Sequence, residues 1–284
     1  MAARLWKIGD GTIDLAQGGM IMGVLNVTPD SFSDPGHFFS AKAAVEHGLR
    51  MAEEGAAIID VGGESTRPGA DAVPEEEERG RVIPVIKKLR AAGVKALISI
   101  DTSKATVARA ALDAGAEIVN DVTGGRGDAG MMPLVAERGA AFIIMHMQGT
   151  PRTMQKDPHY DDVVAEVAEF FRQQYSLAIR CGIDAMAIAF DPGIGFGKTL
   201  MHNLELLRKL AELRVEDRPL VLGVSRKSFL AKLIGSQQID ARVQPTIAFT
   251  ALLRERGADV LRVHDVKGNV AALRATEALL GTAP

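Results

Sequence analysis

Hydrophobic stretches recur along this chain at regular intervals, and almost every one ends at a polar side chain. Eight stretches of this kind occupy residues 21–25, 57–59, 97–100, 117–119, 142–145, 186–190, 220–224 and 260–263. The polar residues that follow them directly are Asn26, Asp60, Asp101, Asn120, His146, Asp191, Ser225 and His264. Short apolar stretches are typical of buried strands. Each polar residue is therefore predicted at the carboxyl end of a strand.

Helical patterns fill the intervals between the predicted strands. They cover roughly residues 40–54, 75–91, 104–113, 129–138, 160–180, 200–213, 227–233 with 241–256, and 268–280. Six of them are followed by a glycine, the residue that most readily ends a helix: Gly55, Gly93, Gly115, Gly139, Gly182 and Gly257. This alternation predicts parallel strands joined by crossover helices.

Eight strand–helix units predict an α/β fold, an eight-stranded parallel (β/α)8 TIM barrel over residues 20–280. Residues 1–19 predict a short N-terminal hairpin that covers the bottom of the barrel, with Gly9-Asp10-Gly11 as its turn. The length of 284 residues suits a single domain over 1–284, since such barrels take about 250 residues. A doubly wound open sheet is the competing architecture, but it needs fewer units. In a barrel, the polar strand ends surround one mouth, where the chemistry takes place.

The composition excludes several classes of protein. A net charge of −3 argues against an extended nucleic-acid-binding surface, so no nucleic-acid partner is expected. No apolar stretch is long enough to cross a bilayer, and the N-terminus lacks the hydrophobic core of a signal peptide, so no membrane partner is expected. The single cysteine, Cys181, excludes an intramolecular disulfide and fits a reducing compartment. We therefore expect a cytoplasmic protein with small-molecule substrates.

Two polar loops follow the first two predicted strands. NVTPDSFSD (26–34) contains Phe32, an aromatic that a closing lid could bring over a substrate, although an ordinary turn with this ring on the barrel rim is equally compatible. DVGGESTRPGA (60–70) contains Arg67, whose planar guanidinium suits an anion or a π-surface, and Pro68, which stiffens the turn. A purely structural Gly-Pro loop is the alternative for this second stretch.

Three strand-end residues, Asp101, Asn120 and Asp191, are predicted to converge at the barrel mouth. Carboxylates and an amide placed there can bind a flat heterocycle rich in hydrogen-bond donors, such as an aminopyrimidinone. The alternative for a single strand-end aspartate is a helix N-cap, which the sequence Asp101-Thr-Ser resembles.

DPGIGFGKT (191–199) superficially resembles a phosphate-binding P-loop. The nucleotide motif requires glycine at the position of Pro192, so nucleotide binding through this stretch is rejected. Its glycines instead predict a tight strand-to-helix turn, from which Phe196 projects as an apolar wall.

The last two strand ends carry positive charge. SRKSF (225–229) supplies Lys227 and Ser228, and RVHD (262–265) supplies Arg262 and His264. Strands seven and eight commonly frame the phosphate site of such barrels, so this group predicts a polyanion site. No zinc-binding pattern and no serine nucleophile elbow are present in the sequence.

Eight motifs together resemble the dihydropteroate synthases, in that family's order between residues 21 and 266. They are NVTPDSFSD, DVGGESTRPGA, SIDTSK, NDVTGG, MHMQGTPRTMQ, DPGIGFGKT, SRKSF and RVHDV. The resemblance implies a β/α barrel, usually a homodimer, that uses Mg²⁺ and joins 6-hydroxymethyl-7,8-dihydropterin diphosphate to p-aminobenzoate. The products are 7,8-dihydropteroate and diphosphate, a step of folate biosynthesis, and sulfonamides compete with p-aminobenzoate.

The resemblance also implies roles for individual residues. Asp101, Asn120, Asp191 and Lys227 would hold the pterin, with Met145 lining its pocket. Asn26, Arg262 and His264 would hold the diphosphate, and Asn26 would bind the metal. The p-aminobenzoate side would comprise Phe32, Asp34, Thr66, Arg67, Pro68, Phe196 and Ser228. Asp101, Lys227, Arg262 and His264 would take part in catalysis, which we expect to be an S_N1-like substitution because the arylamine is neutral and needs no general base.

The chain departs from the family pattern at two places. Pro35 stands where the family usually has glycine, and it should stiffen the hinge of the first loop. Residues 236–247 lack the expected Arg and Gly-Thr pattern, which puts the local helix geometry and a dimer contact in doubt. Three other functions remain open at this point: a pterin-dependent methyltransferase, a Schiff-base aldolase using Lys198 or Lys227, and a non-catalytic pterin-binding protein.

Overall fold

A computed structural model describes residues 3–28, 37–66 and 69–282 of the chain, without the side chains of residues 37–40. The predicted lid residues Phe32, Asp34, Arg67 and Pro68, together with the departure at Pro35, lie outside the described residues. No helix within the described ranges is long and apolar enough to span a bilayer.

The described residues contain ten strands and nine α-helices. The strands are β1 (Leu5–Ile8), β2 (Gly11–Asp14), β3 (Met20–Asn26), β4 (Ile58–Gly62), β5 (Leu97–Asp101), β6 (Ile118–Asp121), β7 (Ala141–Met145), β8 (Ile188–Asp191), β9 (Val221–Gly223) and β10 (Val260–Val263). The helices are α1 (His37–Glu53), α2 (Glu75–Ala91), α3 (Ala105–Asp113), α4 (Met131–Arg138), α5 (Val163–Arg180), α6 (Leu200–Arg208), α7 (Ser228–Ile234), α8 (Val243–Glu255) and α9 (Val266–Leu280).

Strands β3 to β10 form one parallel sheet in the order β8-β7-β6-β5-β4-β3-β10-β9. A parallel bridge between Phe190 and Leu220 joins the two ends of this sheet and closes it into a barrel. Strands β1 and β2 pair antiparallel as a separate hairpin. The prediction of a (β/α)8 barrel with an N-terminal hairpin is confirmed, and the open-sheet alternative is wrong.

The hairpin closes the amino-terminal end of the barrel. Trp6 is fully buried and packs with Ile8 and Leu15 against inward-facing strand residues such as Met22 and Ile58. The indole nitrogen of Trp6 donates to the carbonyl of Ala187 over 3.1 Å, so the ring fills the barrel without leaving its polar atom unpaired. The opposite, carboxyl end is left as the accessible mouth.

Helix boundaries differ from the sequence prediction where capping residues decide them. The helix predicted from 160 begins at Val163, because the Asp162 carboxylate accepts hydrogen bonds from the backbone N–H groups of Val164 and Ala165. Helix α8 begins at Val243 despite the departure in residues 236–247. Pro245 lies in its first turn, where the missing N–H has no intrahelical partner to lose.

A buried ion cluster strengthens the barrel just before the start of β10. Asp259 is fully buried and forms ion pairs with Arg4 at 2.7 Å and with Arg214 at 2.9 Å. It also accepts the backbone N–H of Leu220 at 2.9 Å. Strand β9 has only three residues and joins β8 through one bridge. Asp259 therefore stabilises the junction of β8 and β9, where strand pairing is shortest.

Replacing Asp259 by asparagine is expected to lower the free energy of unfolding by about 3 kcal/mol, because the largely buried Arg4 and Arg214 then lose their counter-charge. Urea denaturation followed by circular dichroism measures the change. The matched control is Asp184→Asn, whose partner Lys7 and own side chain are each 40% exposed. An exposed pair should contribute less than about 1 kcal/mol, so equal losses in the two variants would refute the role of Asp259.

Candidate functional site

Above the hydrophobic layer, the barrel interior becomes polar. Arg262 on β10 reaches across it, donating from Nε to Asp60 Oδ2 at 2.6 Å and from its terminal nitrogen to Asp101 Oδ2 at 2.7 Å. Asn120 on β6 donates to the same Asp60 oxygen at 3.1 Å. The strand register places these residues on inward-facing positions of β4, β5, β6 and β10. One arginine therefore joins two carboxylates inside the barrel.

Burial controls the charge of this interior group. Asp101 is only 9% exposed, and burial raises its pKa to about 7 even though Arg262 opposes the shift. Burial would lower the pKa of Arg262, but the neighbouring Asp60 and Asp101 more than compensate, so the guanidinium stays charged. Asp60 Oδ1 is buried without a hydrogen-bond partner in the described structure. The interior therefore holds strongly desolvated charges of both signs.

A second charged pair lies on the β8 and β9 side of the mouth. Asp191 is 5% exposed, and burial raises its pKa while Lys227 opposes the shift. Burial lowers the pKa of Lys227 to about 8, against the attraction of Asp191. The Lys227 ammonium donates to the carbonyl of Ile194 and lies 4.6 Å from the centroid of the Phe196 ring. The Asp191 carboxylate, which accepts, the Lys227 ammonium, which donates, and the Phe196 ring thus lie next to one another.

Apolar side chains form the wall beside these charges. Met145, Val122, Met147 and Met154 make one buried cluster, and Phe196 packs against it. Sulfur and aromatic groups of this kind suit a flat, polarisable ligand.

A cavity of about 220 Å³ opens from the same region. Asp101, Val122 and Met147 line its barrel side, while Thr66 and Pro151 line its loop side. The structure therefore brings the predicted residue Thr66 to the same cavity as Asp101.

The predicted anion-binding residues lie around the ends of β3, β9 and β10. His264 follows β10, and both its backbone N–H and its Nδ1 contact the Ser225 hydroxyl, at 3.1 and 3.0 Å. Ser228 is exposed at the start of α7. Asn26 ends β3 and pairs in register with Gly62, where an added Cβ would lie 3.8 Å from the Asn26 amide oxygen.

The structure corrects two expectations about the site. Asp101 does not cap a helix, because α3 begins at Ala105 and the Asp101 carboxylate is bound to Arg262. Asp60, predicted only as a strand end, lies inside β4 and is the second carboxylate on Arg262. The alternating pattern of β4 identifies Asp60 as inward-facing, but only the closed barrel brings it to its partner.

The described side chains offer few ligands for a metal ion. Among the described residues, no group of three or more His, Cys, Asp or Glu side chains could hold a metal ion. Asn26 offers one neutral amide oxygen, which suits an ion such as Mg²⁺ only if a phosphate-bearing ligand supplies further oxygens.

This chain is similar to known proteins over most of its length. Residues 22–264 match the family described as pterin binding enzyme. The dihydropteroate synthase of Mycobacterium leprae (strain TN) is 46% identical over 271 residues, which cover 93% of this chain and 94% of the relative. The Xanthomonas albilineans dihydropteroate synthase solved with 4-aminobenzoic acid has a TM-score of 0.91 at 44% identity, covering 98% of this chain and 99% of that one. The Yersinia pestis dihydropteroate synthase solved with a sulfonamide drug has a TM-score of 0.91 at 40% identity, with the same coverage.

Proposed function

The chain belongs to the pterin-binding enzymes and, among them, to the dihydropteroate synthases, and from this premise we propose how its barrel mouth carries the reaction. The enzyme is a transferase that joins 6-hydroxymethyl-7,8-dihydropterin diphosphate to p-aminobenzoate and releases diphosphate. The observation that carries the site assignment is the pair of buried carboxylates, Asp101 and Asp191, beside the cations Arg262 and Lys227.

The pterin ring binds at the buried carboxylates. Its adjacent N–H and NH₂ groups match one carboxylate in bidentate fashion, and we assign this contact to Asp191. Asp101 and Asn120 take further ring donors, and Lys227 donates to the ring carbonyl. Met145 lines the pocket. Burial of all three acceptors, at 4–9% exposure, supports this role because such groups gain most from a ligand that satisfies them.

Breaking the bond between the exocyclic carbon and the diphosphate oxygen is the difficult step. Arg262 and His264 stabilise the negative charge that develops on the leaving diphosphate. The electron-rich dihydropterin shares the positive charge left on carbon, and Asp101 and Asp191 favour that cation electrostatically. The substitution is therefore dissociative, with the pterin diphosphate bound first.

The arylamine nucleophile needs positioning rather than activation. Phe196 and Thr66 lie next to the pterin pocket and are assigned to the p-aminobenzoate side, together with Ser228 at the exposed start of α7. The lid residues of the same assignment, which lie outside the described residues, are Phe32, Asp34, Arg67 and Pro68.

Mg²⁺ fits the site as an ion that arrives with the diphosphate. Asn26 would hold it through its amide oxygen, and the ion would neutralise charge on the leaving group. Asn26→Ala is expected to raise several-fold the Mg²⁺ concentration that gives half-maximal binding of pterin diphosphate in calorimetry. An unchanged Mg²⁺ requirement in this variant would remove Asn26 from the metal site.

Lys227 gives the site a specific pH dependence. Its pKa of about 8 means that the ammonium loses its proton as the pH rises through 8, which weakens donation to the pterin carbonyl. The Kd for pterin diphosphate should therefore rise about fivefold between pH 8 and pH 9. Lys227→Ala should bind more weakly, without unfolding, and lose this pH dependence. The same pH profile in the variant would show that another group is responsible.

We propose a homodimer from the resemblance to the family. Leu233 and Ile234 end α7 with 43% and 39% exposure, and Ile239 follows with 52%. Burying these side chains against a second copy would remove three exposed apolar side chains from water. Light scattering should give twice the mass of one chain, and Leu233→Glu should return the monomer. A monomeric wild-type protein would contradict the proposal.

A cytoplasmic location stays a prediction from the sequence.

The experiment that tests the function is identification of the product. Purified protein with the pterin diphosphate, p-aminobenzoate and Mg²⁺ should yield dihydropteroate by mass spectrometry, and a sulfonamide should suppress it. The absence of product would refute the proposed function.

The aldolase alternative loses support because Lys198 is 3% exposed and bound to carbonyl oxygens, and Lys227 lies next to Asp191 within the pterin pocket.

A further inference from the structure

The turn that follows β8 is held by side chains to an unusual degree. Every backbone carbonyl of residues 193–197 accepts a hydrogen bond from a side chain. Gly193 and Phe196 bind Lys198 at 3.1 and 3.0 Å, Ile194 binds Lys227, Gly195 binds Gln155 at 2.7 Å, and Gly197 binds Tyr160 at 2.8 Å. Lys198 is the one residue in this set that binds two of the carbonyls.

Lys198 lies inside the turn, with 3% of its surface exposed. Its Nζ also lies 3.0 Å from His146 Nδ1, so it connects the turn to the end of β7. Burial lowers the pKa of Lys198 well below its ordinary value, but even a neutral amine keeps two N–H donors for the two carbonyls. The contact is therefore maintained in either protonation state.

The backbone of the turn packs closely against the segment that follows β7. Gly193 and Gly197 have φ values of 63° and 61°, and an added Cβ would lie 1.9 Å from the His146 carbonyl oxygen or 2.5 Å from that of Gln148. The two glycines let the turn pack directly on the segment after β7. The buried Gly193 carbonyl accepts hydrogen bonds from the Phe196 backbone N–H, at 3.0 Å, and from Lys198, and Lys198 also supplies the donor for the part-buried Phe196 carbonyl.

Phe196 is the residue that this arrangement presents to the mouth. Its carbonyl is bound by Lys198, and its ring lies beside Lys227 and packs against the cluster that contains Met145. We infer that Lys198 is a positioning residue, which fixes the turn 193–197 and so holds the Phe196 ring against p-aminobenzoate. The inference rests on the proposed function for the identity of that substrate.

The test compares Lys198→Met with the control Lys209→Met. Methionine keeps a similar volume but donates no hydrogen bond, while Lys209 is a 44%-exposed lysine that pairs with Glu205. Lys198→Met should raise the KM for p-aminobenzoate about tenfold and leave the Kd for pterin diphosphate within about twofold. The control should change neither. An unchanged KM, or an equal loss of both affinities, would overturn the positioning role.

Hydrogen exchange separates this inference from the proposed function, because it needs no turnover. Amides of residues 193–199 should exchange faster in Lys198→Met, while those of β3 to β7 stay protected. Unchanged exchange in the turn would overturn the inference whatever the activity. If Lys198→Met fails to fold, Tyr160→Phe removes a single donor, that on Gly197, and should show a smaller change in the same direction; no change there would also count against the inference.

Discussion

Replacing Asp191 by asparagine is expected to weaken binding of the pterin diphosphate by at least about a hundredfold. Hydrogen bonds to a charged acceptor contribute about 1.5–3 kcal/mol each, and a pterin edge makes two of them with one carboxylate. Asparagine keeps one acceptor oxygen but turns an NH₂ group towards a ligand donor. The loss should appear in the Kd from calorimetry rather than in the stability of the protein.

Asp184→Asn is a matched control for this substitution. Asp184 lies beside the opposite end of β8, is 40% exposed on its side chain and caps a short 3-10 helix. Asparagine caps helices about as well as aspartate, so the control should bind the pterin as the wild type does. Equal affinity in wild type and Asp191→Asn would remove Asp191 from the pterin site.

Replacing Arg262 by methionine should have the largest effect on turnover. Removing one preorganised donor to a developing negative charge commonly lowers kcat by about 10²–10³. Arg262 is also the residue that joins Asp60 to Asp101, so its loss leaves two buried carboxylates without a counter-charge. We therefore expect kcat to fall by at least about a hundredfold and the protein to unfold at a lower temperature.

Arg262→Lys separates charge from geometry. Lysine keeps the positive charge but lacks the planar fork that reaches both carboxylates. It should recover part of the thermal stability and little of kcat, when kcat is measured at a temperature where both variants are folded. Full activity in Arg262→Lys would contradict the bidentate role, and full activity in Arg262→Met would exclude Arg262 from the reaction.

Much of the fold follows from local patterns in the sequence. The eight apolar stretches and the helical patterns between them predict the barrel, because each pattern depends only on residues that are close together in the sequence. The exact ends of the strands are harder to predict from the sequence. The stretch predicted at 220–224 is a strand only at Val221–Gly223, because its pairing depends on how the barrel closes onto β8.

The candidate site, like the fold, can be predicted only in part from the sequence. Asp101, Asn120 and Asp191 are evident as strand ends, and the structure buries all three at the mouth. The sequence does not assign Asp60 to the site, because its partner Arg262 lies 202 residues away along the chain and only closure of the barrel joins them. The sequence names Lys198 only as a possible Schiff-base lysine, because its contacts with two carbonyls depend on the fold of the turn itself.

Diphosphate release is the measurement that tests the central claim most directly. The purified protein would be incubated with the pterin diphosphate and Mg²⁺, with and without p-aminobenzoate, while diphosphate and dihydropteroate are measured together. The account predicts release that depends on p-aminobenzoate, with the two products formed in equal amounts and the release lost in Arg262→Met. Tight binding of the pterin without any release of diphosphate would contradict it.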